Sequence, residues 1–226
     1  MLRKKLLNLI VQAVVSVRCG HPTRVAIDGI DAAGKTTLAN ELAAALAKRE
    51  YRVIRASIDG FHRPEKERYR RGKISPEGYY YDSFDNEAIK KHLLHPLGPG
   101  GTGEYRTSIF DFRKDSPAIS PVMHAPDHAV LLFDGVFLIR PELKDHWDLR
   151  IFVHIDFNVS LQRALNRDLP LYGSSEIIVE RYKNRYIPGQ MIYLRQSEPQ
   201  RLAHILIDNN DPQNPLMLRP GTGSTS

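Results

Sequence analysis

The stretch Gly29-Ile30-Asp31-Ala32-Ala33-Gly34-Lys35-Thr36-Thr37 constrains this chain more than any other. It fits G-x-x-x-x-G-K-[ST] and lies between an apolar run, RVAID, and a helical pattern, TLANELAAALAKR. Phosphate oxygens need three things: backbone N–H groups at close range, which glycine permits, the partial positive charge of a helix start, and an ammonium within reach. Gly29 and Gly34 supply the first, the helix opening at Lys35 the second, and the Lys35 side chain the third. The Thr36 hydroxyl is then placed to ligate Mg²⁺. With glycine near 7 % of residues, the pattern arises by chance in roughly one chain of this length in a hundred, and the strand before and helix after narrow that further. All nine residues, Gly29 to Thr37, are assigned to phosphate binding.

Apolar runs bounded by turn residues predict strands over 24–28, 52–57, 129–133, 149–155 and 204–207. Helical patterns alternate with them over 36–49, 86–94, 159–167 and 175–185. Such alternation predicts an α/β fold of three layers, a parallel sheet covered by helices on both faces. The Gly/Pro-rich stretch HPLGPGGTGEYR leads into an expected strand over 105–112, which reads as a small β insertion. In residues 1–20, Arg3, Lys4 and Lys5 ahead of an apolar stretch imitate a signal peptide, but Asn8 and Gln12 interrupt it and Arg18 stands where a small residue would be needed. Leu2, Leu6, Ile10 and Val14 fall at i, i+4, so an amphipathic helix is expected there. The tail over 213–226, ending in RPGTGSTS, is expected to be flexible.

Composition excludes several classes. The 226 residues are 42 % hydrophobic and 26 % charged, the balance of a globular domain and not of a disordered, collagenous or coiled-coil chain. Cys19 is the single cysteine, so an internal disulfide and a structural zinc site are both out, and a reducing, cytoplasmic setting is expected. No apolar run reaches the ~20 residues of a membrane span. The net charge of +6 concentrates in RPEKERYRRGK, residues 63–73, an RNA patch, a solvated loop or a holder of anionic substrate. Without aromatic platforms or an RNA motif, nucleic acid is disfavoured as a partner. His92/His95 and His124/His128 lack a third ligand at recognisable spacing, so no transition-metal site is read.

Two carboxylates complete a phosphoryl-transfer set. AVLLFDGVF puts Asp134 at the C-terminal edge of a hydrophobic strand, where a metal-holding acid belongs. RASIDGFHRP puts Asp59 at the tip of another, where a carboxylate accepts a hydroxyl proton or orients the acceptor. The chain lacks N-K-x-D, and no D-x-x-G stands at its metal strand, where Asp134 is followed by Gly-Val-Phe, which argues against a GTPase switch.

Five segments, VAIDGIDAAGKTTLA, SIDGFHRP with YYYDSFD, LLFDGVFL, RALNRD and AHILIDN, in this order over about residues 22–212, make the chain resemble the uridine kinase and phosphoribulokinase-like family of P-loop kinases. The resemblance implies a P-loop NTPase fold with a five-stranded parallel core over 21–212, a helical lid at about 163–185, ATP with Mg²⁺, and transfer of the γ-phosphoryl group to a hydroxyl of a small molecule. It gives Asp59 the acceptor proton, Thr36 and Asp134 the metal, and Lys35, Arg163 and Arg167 the transferring phosphoryl. Asp59, Phe61, His62, Arg63, Tyr79, Phe110 and Arg113 are the expected acceptor contacts. Departures bear on the acceptor. Tyr79 stands at the family's ribose-binding acid, Phe110-Asp111 and Asp115 replace a Tyr-Asp and a base-reading His, and LPLYGSS lacks arginines that Arg181 or Arg185 could replace. Uridine or cytidine is the first acceptor to expect. Pantothenate, a nicotinamide riboside or a sugar phosphate are alternatives, as is an ATP-binding regulatory or RNA-associated protein without transfer activity, and a homo-oligomer is left open.

Overall fold

The computed structural model describes residues 2–221. Its elements begin with helix α1 (Arg3–Ser16), strand β1 (Thr23–Gly29), α2 (Lys35–Ala47), β2 (Val53–Ser57) and a 3-10 turn, Ile58–Phe61. The short α3 (Glu65–Arg68), a π turn (Gly78–Asp82) and α4 (Asn86–Ile89), continued by a π turn over Lys90–Leu94, come next. Four two-residue strands follow, β3 (Glu104–Tyr105), β4 (Phe110–Asp111), β5 (Ser116–Pro117) and β6 (Met123–His124), pairing β3 with β6 and β4 with β5. The chain then runs through β7 (Val130–Gly135), β8 (Leu149–His154), α5 (Phe157–Tyr172) and α6 (Ser175–Arg181) with a π turn over Tyr182–Tyr186. It closes with α7 (Ile187–Ser197), α8 (Pro199–Leu202), β9 (Ile205–Asp208) and β10 (Leu216–Arg219).

The main sheet has the order β10-β9-β8-β1-β7-β2. Its five strands from β9 to β2 are parallel, and β10 adds an antiparallel edge. Strands buried on both faces read as unbroken apolar runs, and alternate side chains of each serve opposite layers. Val25 and Ile27 pack with Leu6, Ile10, Leu42 and Leu46 of α1 and α2. Ala26, Leu131 and Phe133 pack with Phe61, Phe137 and Tyr193 on the other face. A third, small cluster of Ala164, Ile178 and Tyr182 lies within α5, α6 and the turn after them, the segment expected as the lid.

Four expectations change. Residues 105–112 do not form one strand: Ile109 N–H donates to the Gly60 carbonyl at 2.8 Å, which turns the chain over the end of β2 and splits it into β3 and β4. The expected tail is structured over Leu216–Arg219, where β10 covers the edge of β9 and Met217 packs on the core; residues 222–226 lie outside the described chain. Leu2 precedes the helix and stays 76 % exposed, and Val11 joins Leu6, Ile10 and Val14 in the buried stripe instead. The basic loop is not a bare run of cations: Arg70 and Arg71 bind Asp82, and Arg68 binds Asp115 at 2.9 Å.

Candidate active site

The C-terminal ends of the parallel strands form the crevice in which α/β folds hold ligands. There β1 turns through the glycine loop into α2. A Cβ at Gly29 would run into the Val153 carbonyl oxygen, and Gly34, at φ 90°, takes the left-handed conformation that starts α2. Lys35 Nζ donates to the Ile30 carbonyl at 2.7 Å. Burial pulls its ammonium below the ordinary lysine range, while Asp31, Asp28 and Asp134 oppose the shift.

Register sets the acids. Asp134 in β7 lies between Ile27 of β1 and Ser57 of β2. Its Oδ2 accepts from the Thr36 hydroxyl at 2.6 Å, and its Oδ1 pairs with Arg55 at 2.8 Å. Thr36 and Asp134 thus form a compact set of hard oxygen donors, which fits Mg²⁺. Arg55, missed in the sequence because it reads as a stray charge in β2, braces that set through the Leu132 carbonyl at 2.6 Å. Asp59 stands after β2 with its side chain 65 % exposed, 3.7 Å from His62. Burial of its surroundings pushes the Asp59 carboxyl up, but His62, Lys35 and Arg167 together outweigh this and hold it below the usual range.

Two clefts meet here. One, of about 270 Å³, is lined by Asp31, Asp59, His62, Tyr79 and Phe112, with Tyr172 at the end of α5 and Tyr182 and Tyr186 in the π turn after α6. The other, of about 680 Å³, runs from Gly34 and Thr37 past Arg163 to Asn209, Pro212 and Arg3. Lys35, Thr36 and Arg167 line both. Arg167 is held by Asp168 at 2.6 and 2.9 Å.

The expected residues divide accordingly. Asp59, His62 and Tyr79 line the smaller cleft, and His62 stacks on Phe84 and Phe112 at 4.5 and 4.9 Å between ring centres. Four others do not line it. Phe61 is fully buried against Phe133, because side chains three apart in a 3-10 turn share a face and Phe61 shares that of the buried Ile58. Phe110 is buried in β4, and Phe112 beyond the strand takes its place. Arg63 is drawn to the Phe84 carbonyl at 3.1 Å and to Glu67, and Arg113 lies over the Phe112 ring at 5.9 Å. Arg163 faces the larger cleft, donating to the Asn209 and Asn210 carbonyls at 2.8 and 3.1 Å, and does not line the smaller one. Neither Arg181 nor Arg185 lines either cleft: Arg181 stacks on Tyr172, and the buried Arg185 stacks on Tyr69. Asp31, expected on the phosphates with the rest of the glycine loop, lines the smaller cleft instead, while Gln190, Tyr172, Tyr182 and Tyr186 carried no local motif, since distant helices bring them together.

Asp28, at the end of β1, is fully buried. It accepts from Gly29 N–H at 2.7 Å, Ile139 N–H at 3.0 Å and the Tyr193 hydroxyl, and burial pushes its carboxyl up to about 6. Away from the clefts, Cys19, His21 and Asp148 bring ligand-type atoms within 4.8 Å of one another. Both Asp148 oxygens are held by Arg24, at 2.9 and 2.7 Å, so the group is an ion-paired brace.

The profile of the Phosphoribulokinase / Uridine kinase family matches residues 25–207. Uridine-cytidine kinase B of Dictyostelium discoideum is 28 % identical over 156 residues, 69 % of this chain, and the match spans 62 % of that relative's length. A uridine kinase of Halalkalibacterium halodurans is 22 % identical over 83 % of this chain and 86 % of its own. In fold, the chain resembles the "Structure of a Possible Uridine Kinase from Bacillus stearothermophilus", with a TM-score of 0.71, 20 % identity, and coverage of 90 % of this chain and 97 % of that one.

Proposed function

Because this chain belongs to the phosphoribulokinase/uridine kinase family of ATP-dependent kinases, we propose that it transfers the γ-phosphoryl group of ATP to a hydroxyl of an uncharged small molecule, a nucleoside such as uridine or cytidine first. The observation that carries this is the junction of the two clefts at Lys35, Thr36 and Arg167. A phosphoryl group must pass between donor and acceptor, and two cations and a hydroxyl converge where the two sides meet.

In this reading the larger cleft takes ATP, with the glycine loop on its phosphates and Arg163 and Asn209 walling the side away from transfer. Lys35 and Arg167 balance the charge on the moving phosphoryl, the largest contribution such enzymes make. Thr36 and Asp134 would hold Mg²⁺, which when bound neutralises phosphate oxygens. Asp59, an anion at neutral pH, accepts the hydrogen bond of the acceptor hydroxyl and fixes its direction, taking the proton as the bond to phosphorus forms. The aromatic cleft suits a flat base.

The acids along the smaller cleft, Asp31, Asp59, Asp134 and Asp168, disfavour a phosphorylated sugar, and none of the basic-loop arginines lines it. The lone Cys19 fits a cytoplasmic enzyme, and among the described residues no helix is long and apolar enough to cross a membrane. The test is Mg²⁺-dependent ADP release from ATP across nucleosides, pantothenate, vitamins and sugar phosphates, with Asp59→Asn as control. One acceptor raising the rate far above background, with Asp59 intact, is expected. ATP binding with no responsive acceptor would favour a regulatory protein.

A further inference from the structure

Asp31 belongs to the glycine loop, yet it lines the smaller cleft and not the larger. Its N–H donates to Gln190 Oε1 at 2.8 Å, and its carbonyl accepts from Ser160 Oγ at 2.7 Å. Its Oδ2 accepts from the Tyr79 hydroxyl and from Gln190 Nε2, both at 2.9 Å. The carboxylate is therefore aimed by two side chains from the π turn and α7 into the cleft that holds Asp59. Among the described residues Oδ1 takes no protein hydrogen bond, although a carboxylate offers about four acceptor positions. Burial raises the Asp31 carboxyl, while Lys35, the Tyr79 hydrogen bond and Arg167 oppose the shift.

The family's acid for the acceptor's ribose is absent at position 79, where Tyr79 stands instead. The structure shows the Tyr79 phenol handing its hydrogen bond to a carboxylate supplied by another element.

We propose that Asp31 Oδ1 accepts a hydrogen bond from a second hydroxyl of the acceptor while Asp59 engages the hydroxyl that is phosphorylated. The acceptor class is then an uncharged molecule with at least two hydroxyls, and for a nucleoside the second lies on the ribose 2′,3′ edge. This deepens the kinase reading and rests on it. Asp31 is a specificity-determining residue: it rejects an acceptor that leaves its oxygen unpaired, as sites built to bond a hydroxyl do.

The experiment is calorimetric binding of uridine and of 2′,3′-dideoxyuridine to the wild-type, Asp31→Ala and Tyr79→Phe proteins, each with ADP and Mg²⁺, alongside ADP release from ATP with uridine. The wild type is expected to favour uridine by roughly 10- to 100-fold, the size of one hydrogen bond to a charged group. In Asp31→Ala the two probes should bind alike. In Tyr79→Phe the preference should shrink without vanishing, because Gln190 still aims the carboxylate. A purely structural Asp31 would lower both affinities equally and leave the ratio intact. Uridine turnover with equal binding of both probes overturns the Asp31 assignment alone. Discriminating binding lost in Asp31→Ala, without turnover, upholds the assignment and overturns the kinase reading. A wild type that binds neither probe overturns uridine as the acceptor and the ribose-edge assignment of Asp31 with it, and leaves the kinase reading to the wider acceptor panel.

Discussion

Asp59 is exposed to the cleft yet held anionic by His62, Lys35 and Arg167, so it serves at neutral pH without a proton to lose. Asp59→Asn is expected to lower kcat by about 10²- to 10⁴-fold with ATP affinity kept, as checked by single-turnover phosphoryl transfer beside nucleotide titration. Its folded pKa lies below the ordinary 3.8, so the acid limb of kcat/KM set by this group falls below that value, and activity stays level with respect to it from pH 5 to 7. The two lid arginines should separate. Arg163→Ala, on the donor side, raises KM for ATP by roughly tenfold, whereas Arg167→Ala, at the junction, chiefly lowers kcat. Steady-state kinetics with each substrate varied checks both. The glycine loop, Asp59 and Asp134 were legible because each is a local pattern fixed to a strand end. Phe112 and Asp31 were not: which of Phe61, Phe110 and Phe112 faces the cleft depends on a turn's pitch and a strand two residues long, and the direction of Asp31 depends on Gln190, 159 residues away.

Strand β1 and helix α7 are joined by the buried Asp28–Tyr193 contact, which Ile139 N–H of the chain after β7 completes. Tyr193→Phe should cost about 1–3 kcal/mol, because it leaves a buried carboxylate oxygen short of a donor; urea unfolding checks this. Asp28 binds its proton more tightly folded than unfolded, so its stabilisation is complete below 3.8 and is lost as pH rises through about 6. The loss is on the order of 3 kcal/mol. The stability of the wild type relative to Asp28→Asn should fall across that window, whatever the offset between them. Parallel strands were legible as apolar runs, but α7 was not, since Pro188-Gly189 reads as a breaker. Packing explains both residues. Proline is tolerated in a first helical turn, and a Cβ at Gly189 would come within 2.9 Å of the Pro76 carbonyl and the Tyr79 ring.

On the scale of the molecule, α1 is part of the body although it precedes the family match that begins at residue 25. Leu6, Ile10, Val11 and Val14 are buried in the same core as β1 and α2, and Arg3 pairs with Glu41 at 2.7 Å beside the larger cleft. Ile10→Ala should cost about 2–5 kcal/mol, measured by denaturant unfolding, a loss that a loosely attached leader would not produce. The order of the layers was legible from the alternation of strands and helices. The closing edge β10 was not, because four residues near a Gly/Pro/Ser-rich end carry too weak a pattern. The meeting of two clefts at three shared side chains also bears on how turnover is timed. Donor and acceptor approach a common wall from opposite sides, so neither has to leave for the other to enter, and no residue of that wall needs to carry the phosphoryl in between. Initial rates against both substrates should give intersecting reciprocal lines, and a dead-end analogue of either substrate should compete with that substrate alone.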